Sequence, residues 1–279
     1  MPHDPLGKRM KCYERAAEAV LAPRLPVIIR LDGNSFSRLT RKLRFNKPFD
    51  ERFERAMNEA ARAVLEYCDG AVLGFVQSDE IHILLRNDHT PATQPFLGGR
   101  TQKIASLTAA CASVAFVKAL AREGIETMAS FDARVFTVPP SEVNNVFLWR
   151  QLDCFRNCVS SVAYWGLAGK YGRGTARRML HGKSTKEQQE IIFTALSINV
   201  NDLPVHWRRG RVLRRVKRTV LVKDVLGPER YQQLLEGGFV KDGQTTVRSS
   251  WEVDLEPPCF NVVPEYIENL YQGKELPVL

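Results

Sequence analysis

The chain has 279 residues, of which 44% are hydrophobic and 25% charged, a composition that excludes collagen-like, low-complexity and wholly disordered proteins. Its length allows one large domain or two small ones with a sizeable hydrophobic core, so small scaffolds held by disulfides are excluded as well. The 40 Lys and Arg residues against 31 Asp and Glu give a formal net charge of +9, which favours polyanionic partners such as nucleic acid or nucleotides.

The first 140 residues predict alternating strands and helices. Strands are predicted at 27–31, 71–76, 81–85 and 128–138, and helices at 50–67 and 101–122. The first strand ends in the turn sequence Asp32-Gly33-Asn34, and the tetrad 77–80 is typical of a hairpin tip. Residues 86–99 have the composition of a loop.

This order of elements predicts the fold class. Strand, helix, strand, strand, helix, strand is the ferredoxin-like order of an α+β fold, in which helices cover one face of an antiparallel sheet. Beyond it, helices are predicted over 141–168 and 174–196, and short strand-like runs from residue 205 onward indicate a β-rich tail. We therefore expect a core at 1–140 and a helical and β-rich extension at 141–279 packed on it.

The N-terminal segment and the cysteines bear on the compartment. Residues 1–11 are polar with no apolar run before a cleavage site, and we expect no stretch long and apolar enough to cross a membrane. Cys154 and Cys158 are close in sequence, but no second Cys or His pair lies beside them as a zinc site requires. The sequence predicts a cytoplasmic protein with free thiols and no membrane contact.

Two acidic residues lie at the ends of predicted neighbouring strands, Asp32 after the first and Asp79 at the hairpin tip. Carboxylates that meet in space repel each other unless a cation lies between them, and hard oxygen ligands select Mg²⁺. In phosphoryl transfer such a pair holds two metal ions that act on the attacking hydroxyl and on the leaving pyrophosphate. The alternative left open by these residues is a solvated turn, because Asp-Gly is a common turn dipeptide.

Small polar and basic residues accompany the acidic pair. The loop 33–37 begins with Gly33, and its backbone amides are suited to lining a phosphate. Basic residues follow the first aspartate and open the second long helix, namely Arg38, Arg41, Lys42, Arg44, Lys47, Arg100 and Lys103. A triphosphate is a natural partner for such a group, although a solvated basic face is the alternative for each single residue.

Four short motifs in register resemble the tRNA-histidine guanylyltransferase family and its guanylyltransferase-like 3′-to-5′ polymerase relatives. They are Arg-Leu-Asp-Gly-Asn-Ser-Phe at 30–36, Asn-Lys-Pro at 46–48, Gln-Ser-Asp-Glu at 77–80 and Trp-Arg-Gln-Leu-Asp-Cys at 149–154. The resemblance covers roughly residues 26–213 and implies a palm domain like that of ordinary polymerases, with 1–140 as the catalytic core. In the family a tRNA 5′-monophosphate is activated with ATP or GTP, or a 5′-triphosphate is already present. The 3′-hydroxyl of an incoming nucleotide then attacks the 5′-phosphate and expels AMP or pyrophosphate.

The resemblance also implies roles for individual residues. Asp32 and Asp79 would be the carboxylate ligands of two Mg²⁺ ions with the carbonyl of Gly33, and Glu80 would complete the catalytic acidic set. The nucleotide phosphates would be met by the backbone of Asn34, Ser35, Phe36 and Ser37 and by the side chains of Lys47, Ser78, Arg100 and Lys103. ATP and GTP would be substrates beside tRNA. The family's usual assembly implies a homotetramer built as a dimer of dimers, with the extension contributing RNA and subunit contacts.

The densest basic run, 208–218, alternates basic and apolar residues as a strand whose exposed face binds RNA phosphates would. The alternative is a solvated edge strand protected by its charge. The residues predicted to contact RNA are Arg208, Arg209, Arg211 and Arg214 in this run, and Arg150, Asn157, Lys183 and Lys186 before it. Trp149, Trp165 and Trp207 are more typical of core packing than of base stacking.

The chain departs from the histidine-tRNA enzymes at two places. Their His-Ile-Asn-Asn segment is replaced at 155–161 by a stretch in which only Asn157 is kept, and Ser37 stands where the eukaryotic pattern has His. Both differences look like the guanylyltransferase-like proteins, which repair 5′-truncated tRNA by template-directed addition rather than by guanylyl addition at position −1 of tRNA-His. The alternatives are a palm-type nucleotidyl cyclase making a cyclic or dinucleotide, and a non-catalytic RNA-binding protein on a degenerate palm.

Overall fold

The computed structural model describes residues 4–274 and residue 276. The helices are α1 (Pro5–Ala16), α2 (Phe36–Lys42), α3 (Glu51–Tyr67), α4 (Thr101–Arg122), α5 (Val143–Tyr171), α6 (Arg173–Leu180), α7 (Thr185–Leu196), α8 (Val205–Arg209), α9 (Val222–Leu226), α10 (Pro228–Glu236) and α11 (Glu265–Gln272). The strands are β1 (Val27–Gly33), β2 (Ala71–Gln77), β3 (Glu80–Leu85), β4 (Phe131–Thr137), β5 (Arg211–Leu221) and β6 (Thr245–Asp254).

The six strands form one antiparallel sheet in the order β4-β1-β3-β2-β5-β6. The first four strands, with α3 and α4 between them, have the ferredoxin-like order that the sequence predicts, which confirms the α+β fold class and the palm-like arrangement. Strands β5 and β6 continue the sheet from β2, so it takes strands from both sides of residue 140.

Both faces of the sheet carry helices because each strand alternates its side chains between two apolar layers. On one face, Ile29 and Leu31 of β1 lie in a cluster with Val64 of α3 and Phe116 of α4. On the other face, Ile28 joins buried residues of β2, β3, α5 and α11, namely Leu73, Leu84, Val143, Phe147 and Ile267. Each fully buried aliphatic or aromatic side chain stabilises the fold by about 1.5–3 kcal/mol. The core helices therefore cover one face, and the extension covers part of the other.

Local sequence accounts for some of the helix boundaries. Asp50 accepts a hydrogen bond from the amide of Arg52 at 3.0 Å and caps α3, and the predicted helix over 101–122 is confirmed as α4. The helix predicted over 174–196 is instead two helices. Gly182 interrupts it with a φ of +70°, and Ser184 begins α7 with a capping box completed by Glu187. Helices α1 and α2 are not predicted by the sequence.

Helix α4 is long and apolar enough, by length and composition, to cross a membrane, with a mean hydropathy of 1.8. This corrects the expectation that no segment meets that requirement. In the structure α4 packs against α3 and β4, and its residues Ile104, Phe116 and Leu120 are buried in the core. The buried apolar residues of α4 therefore cover one face of the sheet.

Candidate active site

One face of the sheet changes from apolar to charged along β1. Ile28, Arg30 and Asp32 alternate toward the same face, since side chains two residues apart in a strand share a side. Arg30 lies opposite His82 and Arg134, and Asp32 lies opposite Glu80 and Asp132. The apolar row is covered by α5 and α11, whereas Asp132 and Arg134 are exposed. The charged rows are therefore open at Asp132 and Arg134 of β4 and partly open at Arg30 and Asp32 of β1, whereas Glu80 and His82 of β3 are buried.

Asp32 and Asp79 meet at this open end, as the sequence predicts. The amide of Gly33 donates a backbone hydrogen bond of 3.0 Å to the carbonyl of Asp79, which ties the end of β1 to the hairpin turn. The pKa of Asp32 is raised above its ordinary value, first by burial and then by the charges of Asp79 and Asp132, while Arg30 and Arg134 act in the opposite direction. The carboxylates are thus close enough to repel each other.

Such a pair fits a hard divalent cation. Among the residues that the structure describes, His, Cys, Asp and Glu do not assemble into a metal-holding group of three or more. The donors available here are the carboxylates of Asp32 and Asp79 and the backbone carbonyl of Gly33. Oxygen-only donors suit Mg²⁺, which keeps several waters and substrate phosphates as its other ligands.

The loop after β1 forms the first turn of α2. Ser35, at the N-cap, has a left-handed conformation with a φ of 59°, and Phe36 packs its ring in the core against Phe116 and Phe131. The first amides of a helix have no intrahelical partner, so those of Ser35, Phe36 and Ser37 suit a phosphate. Asn34 is different, because its amide already donates to the carbonyl of Ser130 at 2.9 Å. The prediction that the backbone amide of Asn34 meets the triphosphate is therefore wrong for this structure.

Lys47 and Ser78 lie on the turns beside the acidic pair. The ammonium of Lys47 donates to Thr40 Oγ1 at 3.0 Å, and burial lowers its pKa while the charges of Asp50 and Asp79 raise it. Asp50 holds the Lys47 loop by accepting a hydrogen bond of 2.8 Å from the amide of Asn46. The hydroxyl of Ser78 donates to Asp79 at 2.9 Å. Both predicted phosphate contacts are thus near the acidic pair.

Glu80 has a different environment from Asp79. It is buried, and its carboxylate accepts from Arg30 at 2.6 Å and pairs with Arg150 at 2.7 Å. Gln77 donates to the same carboxylate at 3.3 Å. With both oxygens engaged inside the protein, Glu80 neutralises two arginines rather than joining the catalytic acidic set, and this corrects the prediction made for it. His82 beneath it is fully buried, and burial and the two arginines lower its pKa to about 3.

Arg100 and Lys103 lie at the other end of the sheet within this chain. Residues Gly99 and Ile104 line a small cavity together with Val27 and Leu85, which pair at the start of β1. Val27 and Asp32 are separated by about 17 Å along the strand. Arg100 also pairs with Glu18 at 3.4 Å. The structure therefore does not bring Arg100 and Lys103 to the acidic pair of their own chain, and their contact with nucleotide phosphates stays a prediction.

The structure also corrects the predicted RNA contacts. Strand β5 is an inner strand, and Arg211 and Arg214 point inward and are buried beside Glu54 and Asp254. Arg150 is buried on Glu80. These three side chains are inaccessible to RNA. The basic residues that β5 exposes are Arg215, Lys217 and Arg218, which lie in the second half of the basic run, whereas the first half of the strand is buried on both faces.

The remaining predicted RNA contacts are wholly or partly exposed. Arg208 and Arg209 donate to the carbonyls of Leu203 and Pro257 at 2.9 and 3.3 Å. Asn157 is exposed on α5, and Lys183 and Lys186 are exposed around the start of α7, where Lys183 pairs with Glu187 at 3.0 Å. These positions are compatible with RNA contact but spread over the extension.

Two family models and several known proteins match this chain over most of its length. The family model described as tRNAHis guanylyltransferase matches residues 7–139, and the model described as Thg1 C terminal domain matches residues 141–251. The tRNA(His) guanylyltransferase of Schizosaccharomyces pombe is 31% identical over 269 residues, which are 94% of this chain and 97% of that protein. The match to the probable tRNA(His) guanylyltransferase of Mus musculus spans 65% of the length of that protein.

Solved structures of similar sequence share the fold. A bacterial tRNA(His) guanylyltransferase (Thg1)-like protein in complex with ATP is 32% identical, has a TM-score of 0.76, and is matched over 96% of this chain and 99% of that chain. Its complex with GTP has a TM-score of 0.74 at the same identity and coverage.

Proposed function

Because the chain belongs to the tRNAHis guanylyltransferase family, we propose that it adds nucleotides in the 3′-to-5′ direction to the 5′ end of tRNA. It is a nucleotidyltransferase, and its substrates are tRNA and nucleoside triphosphates, with ATP and GTP among them. The observation that carries the proposal is the proximity of Asp32 and Asp79 at the open end of the charged face, beside Lys47. Its six cysteines are free thiols, which supports a cytoplasmic location.

The acidic pair and its neighbours have separate roles in nucleotidyl transfer, metal binding for the first and phosphate binding for the second. Magnesium held by Asp32, Asp79 and the carbonyl of Gly33 would lower the pKa of the attacking hydroxyl and neutralise charge on the leaving group. The amides of the first turn of α2 orient the triphosphate, because they have no intrahelical partner and lie at the positive end of the helix dipole. Lys47, fixed by Thr40, adds a point charge for a phosphate oxygen.

We propose that addition is directed by the template and repairs 5′-truncated tRNA, with guanylyl addition at position −1 of tRNA-His as one case of it. The support is sequence-based. Ser37 and the stretch 155–161 differ from the histidine-tRNA enzymes at the two places where the repair branch also differs. In this structure Asn157 lies within 3.5 Å of Asp153 on the exposed side of α5.

The test uses a 5′-triphosphorylated tRNA that lacks its first nucleotide, assayed with each of the four nucleoside triphosphates. The nucleotide complementary to the opposing base should be incorporated, and changing that base should change the nucleotide accordingly. Addition of guanylate whatever the opposing base would contradict templating. Incubation with ATP and GTP but without RNA is the control, since formation of a cyclic or dinucleotide there would favour a cyclase.

We also propose that the active assembly is a homotetramer, a dimer of dimers, in which Arg100 and Lys103 serve the site of another chain. Within their own chain they lie at the wrong end of the sheet, yet the resemblance assigns them to nucleotide phosphates. An inactive Asp32→Asn chain mixed with an inactive Arg100→Ala/Lys103→Ala chain should regain activity if the residues act between chains. No recovery after the two chains are refolded together would contradict this arrangement.

A further inference from the structure

Trp149 is a large aromatic side chain that the fold leaves half exposed, although the sequence predicts core packing for it. It lies on α5 immediately before the buried Arg150, and 50% of its surface is accessible. Two guanidinium groups lie over its ring, that of Arg150 at 4.4 Å from the centroid and that of Arg30 at 6.0 Å. Cations at these distances are attracted to the electron-rich face of an indole.

The position of the ring relates it to the acidic pair. Arg30 precedes Asp32 by two residues on the same face of β1, which corresponds to about 7 Å along the strand. Trp149, whose ring lies 6.0 Å from the guanidinium of Arg30, therefore stands beside the partly open charged rows of this face. Arg134, exposed opposite Arg30, belongs to the same face.

The support beneath the ring is rigid. Arg150 is buried, its Nε lies 2.7 Å from Glu80, and its NH2 group donates to Asp153 at 2.5 Å. Glu80 in turn accepts from Arg30 at 2.6 Å. Both arginines that face the indole are thus held by carboxylates within the protein. An aromatic ring fixed in this way loses little conformational freedom when a flat ligand stacks on its accessible surface.

We propose that Trp149 is a stacking platform for a nucleobase of the substrate bound at the acidic pair. The inference rests on the proposed function and extends it by naming a positioning residue for the base. Every base has a π-face, so an indole can stack on any of the four bases without discriminating among them. An enzyme whose template selects the nucleotide requires this tolerance. The exposed Arg134 and the partly exposed Arg30 lie on the same face of the sheet. Both are placed to bind a phosphate of the nucleotide or RNA whose base stacks on Trp149.

The base has two possible sources, the 5′ end of the RNA or the incoming nucleotide. Both offer the same stacking surface, and the kinetic constants separate them. Loss of the platform should raise the KM for whichever substrate supplies the base, while the KM for the other substrate stays unchanged.

The experiment compares Trp149→Phe, Trp149→Leu and wild type in nucleotide addition to the truncated, triphosphorylated tRNA. Trp149→Leu should raise the KM for one substrate by about tenfold, because stacking of one base is worth roughly that factor or more, and Trp149→Phe should retain most of the affinity. Trp165→Leu is the matched control. That tryptophan also lies on α5 near an arginine, Arg173 at 5.9 Å, but is 16 residues further along the helix. Unchanged KM values for both substrates in Trp149→Leu would overturn the proposal.

A binding measurement separates this proposal from the proposed function. Stacking of a base quenches indole fluorescence, so RNA or GTP alone should quench wild type more strongly than Trp149→Phe. If wild type adds no nucleotide but this difference persists, the proposed function fails and the platform stands. If addition proceeds normally and neither ligand distinguishes wild type from Trp149→Phe, the platform is contradicted and the proposed function stands.

Discussion

Asp79 and Glu80 are adjacent acidic residues at one hairpin tip, yet their surroundings give them different roles. The carboxylate of Asp79 lies on the turn beside Asp32 and accepts a hydrogen bond from the hydroxyl of Ser78. Glu80 is the first residue of β3, and its side chain turns inward onto Arg30 and Arg150. The sequence predicts the acidic pair because both aspartates end neighbouring strands. It does not reveal the partner of Glu80, since Arg150 lies 70 residues further along the chain.

Replacement of Glu80 should therefore affect stability more than a metal ligand would. Glu80→Ala removes the carboxylate that pairs with Arg30 and one of the two that pair with the buried Arg150, the other being Asp153. Breaking a buried ion pair in this way costs about 3–5 kcal/mol. Urea unfolding of Glu80→Ala and Asp79→Ala measures the difference. A Glu80→Ala protein as stable as wild type but inactive would indicate a catalytic carboxylate instead.

Gly33 is required by a close approach rather than by an unusual backbone angle. A Cβ at this position would lie 2.5 Å from the ring of Phe36, which is packed among other aromatic residues. Gly33→Ala should displace the first turn of α2, destabilise the protein by about 1–3 kcal/mol and weaken nucleotide binding. Gly169→Ala is the control, because a Cβ there meets nothing within 4 Å, and it should be neutral or stabilising. Equal thermal stability of both variants would contradict this account.

At the scale of elements, local patterns account for helices α3, α4 and α5 within a few residues, because apolar spacing and caps lie within each segment. The elements that the sequence missed depend on other parts of the chain. Helix α2 is only seven residues long. Its first residue, Phe36, anchors it by packing against Phe116 of α4 and Phe131 of β4. Strand β5 pairs with β2 on one side and β6 on the other, and its own sequence does not show that it has these two neighbours.

Asp50 links the start of α3 to the Lys47 loop and should make stability depend on pH. Hydrogen bonds from the side chain of Arg52 and from the amides of Asn46 and Arg52 lower its pKa to about 2 against the effect of burial. A carboxylate whose pKa is lower in the folded state stabilises the protein above its unfolded pKa of about 4, and this contribution is lost as the pH falls toward 2.

The variant Asp50→Asn keeps the shape but removes the charge. Its melting temperature should be below that of wild type at pH 7, and the difference should shrink as the pH is lowered from 5 toward 2. Thermal melts across that range measure it. A difference that is constant with pH would show that the charge of Asp50 is irrelevant.

At the scale of the whole molecule, the extension completes the core. Strand β5 pairs with the edge of β2, and Trp207 of α8 stacks on Phe49 of the Lys47 loop with ring centroids 4.2 Å apart. Glu54 of α3 lies 3.5 Å from both His206 and Arg211. The sequence predicts a boundary near residue 140 because the ferredoxin-like order of elements ends there, but it does not predict these contacts because they join residues more than 130 positions apart.

Core and extension should therefore unfold together. All four tryptophans, at positions 149, 165, 207 and 251, lie in the extension, so their fluorescence reports on that part of the chain, whereas far-UV circular dichroism reports on all of it. The two probes should give the same urea midpoint in a single transition. Two separated transitions would mean that 1–140 and 141–279 are independent units.

The central claim is that Asp32 and Asp79 together form the centre of nucleotidyl transfer. The most direct measurement is nucleotide addition to a 5′-triphosphorylated, truncated tRNA by Asp32→Asn, Asp79→Asn and, as a matched control, Asp69→Asn, whose exposed carboxylate lies between α3 and β2 at the other end of the sheet. Both site variants should lose at least about a thousandfold in rate while unfolding at or above the wild-type temperature, because each removes a repulsion between carboxylates. Asp69→Asn should retain full activity. Substantial activity in either site variant would contradict the account.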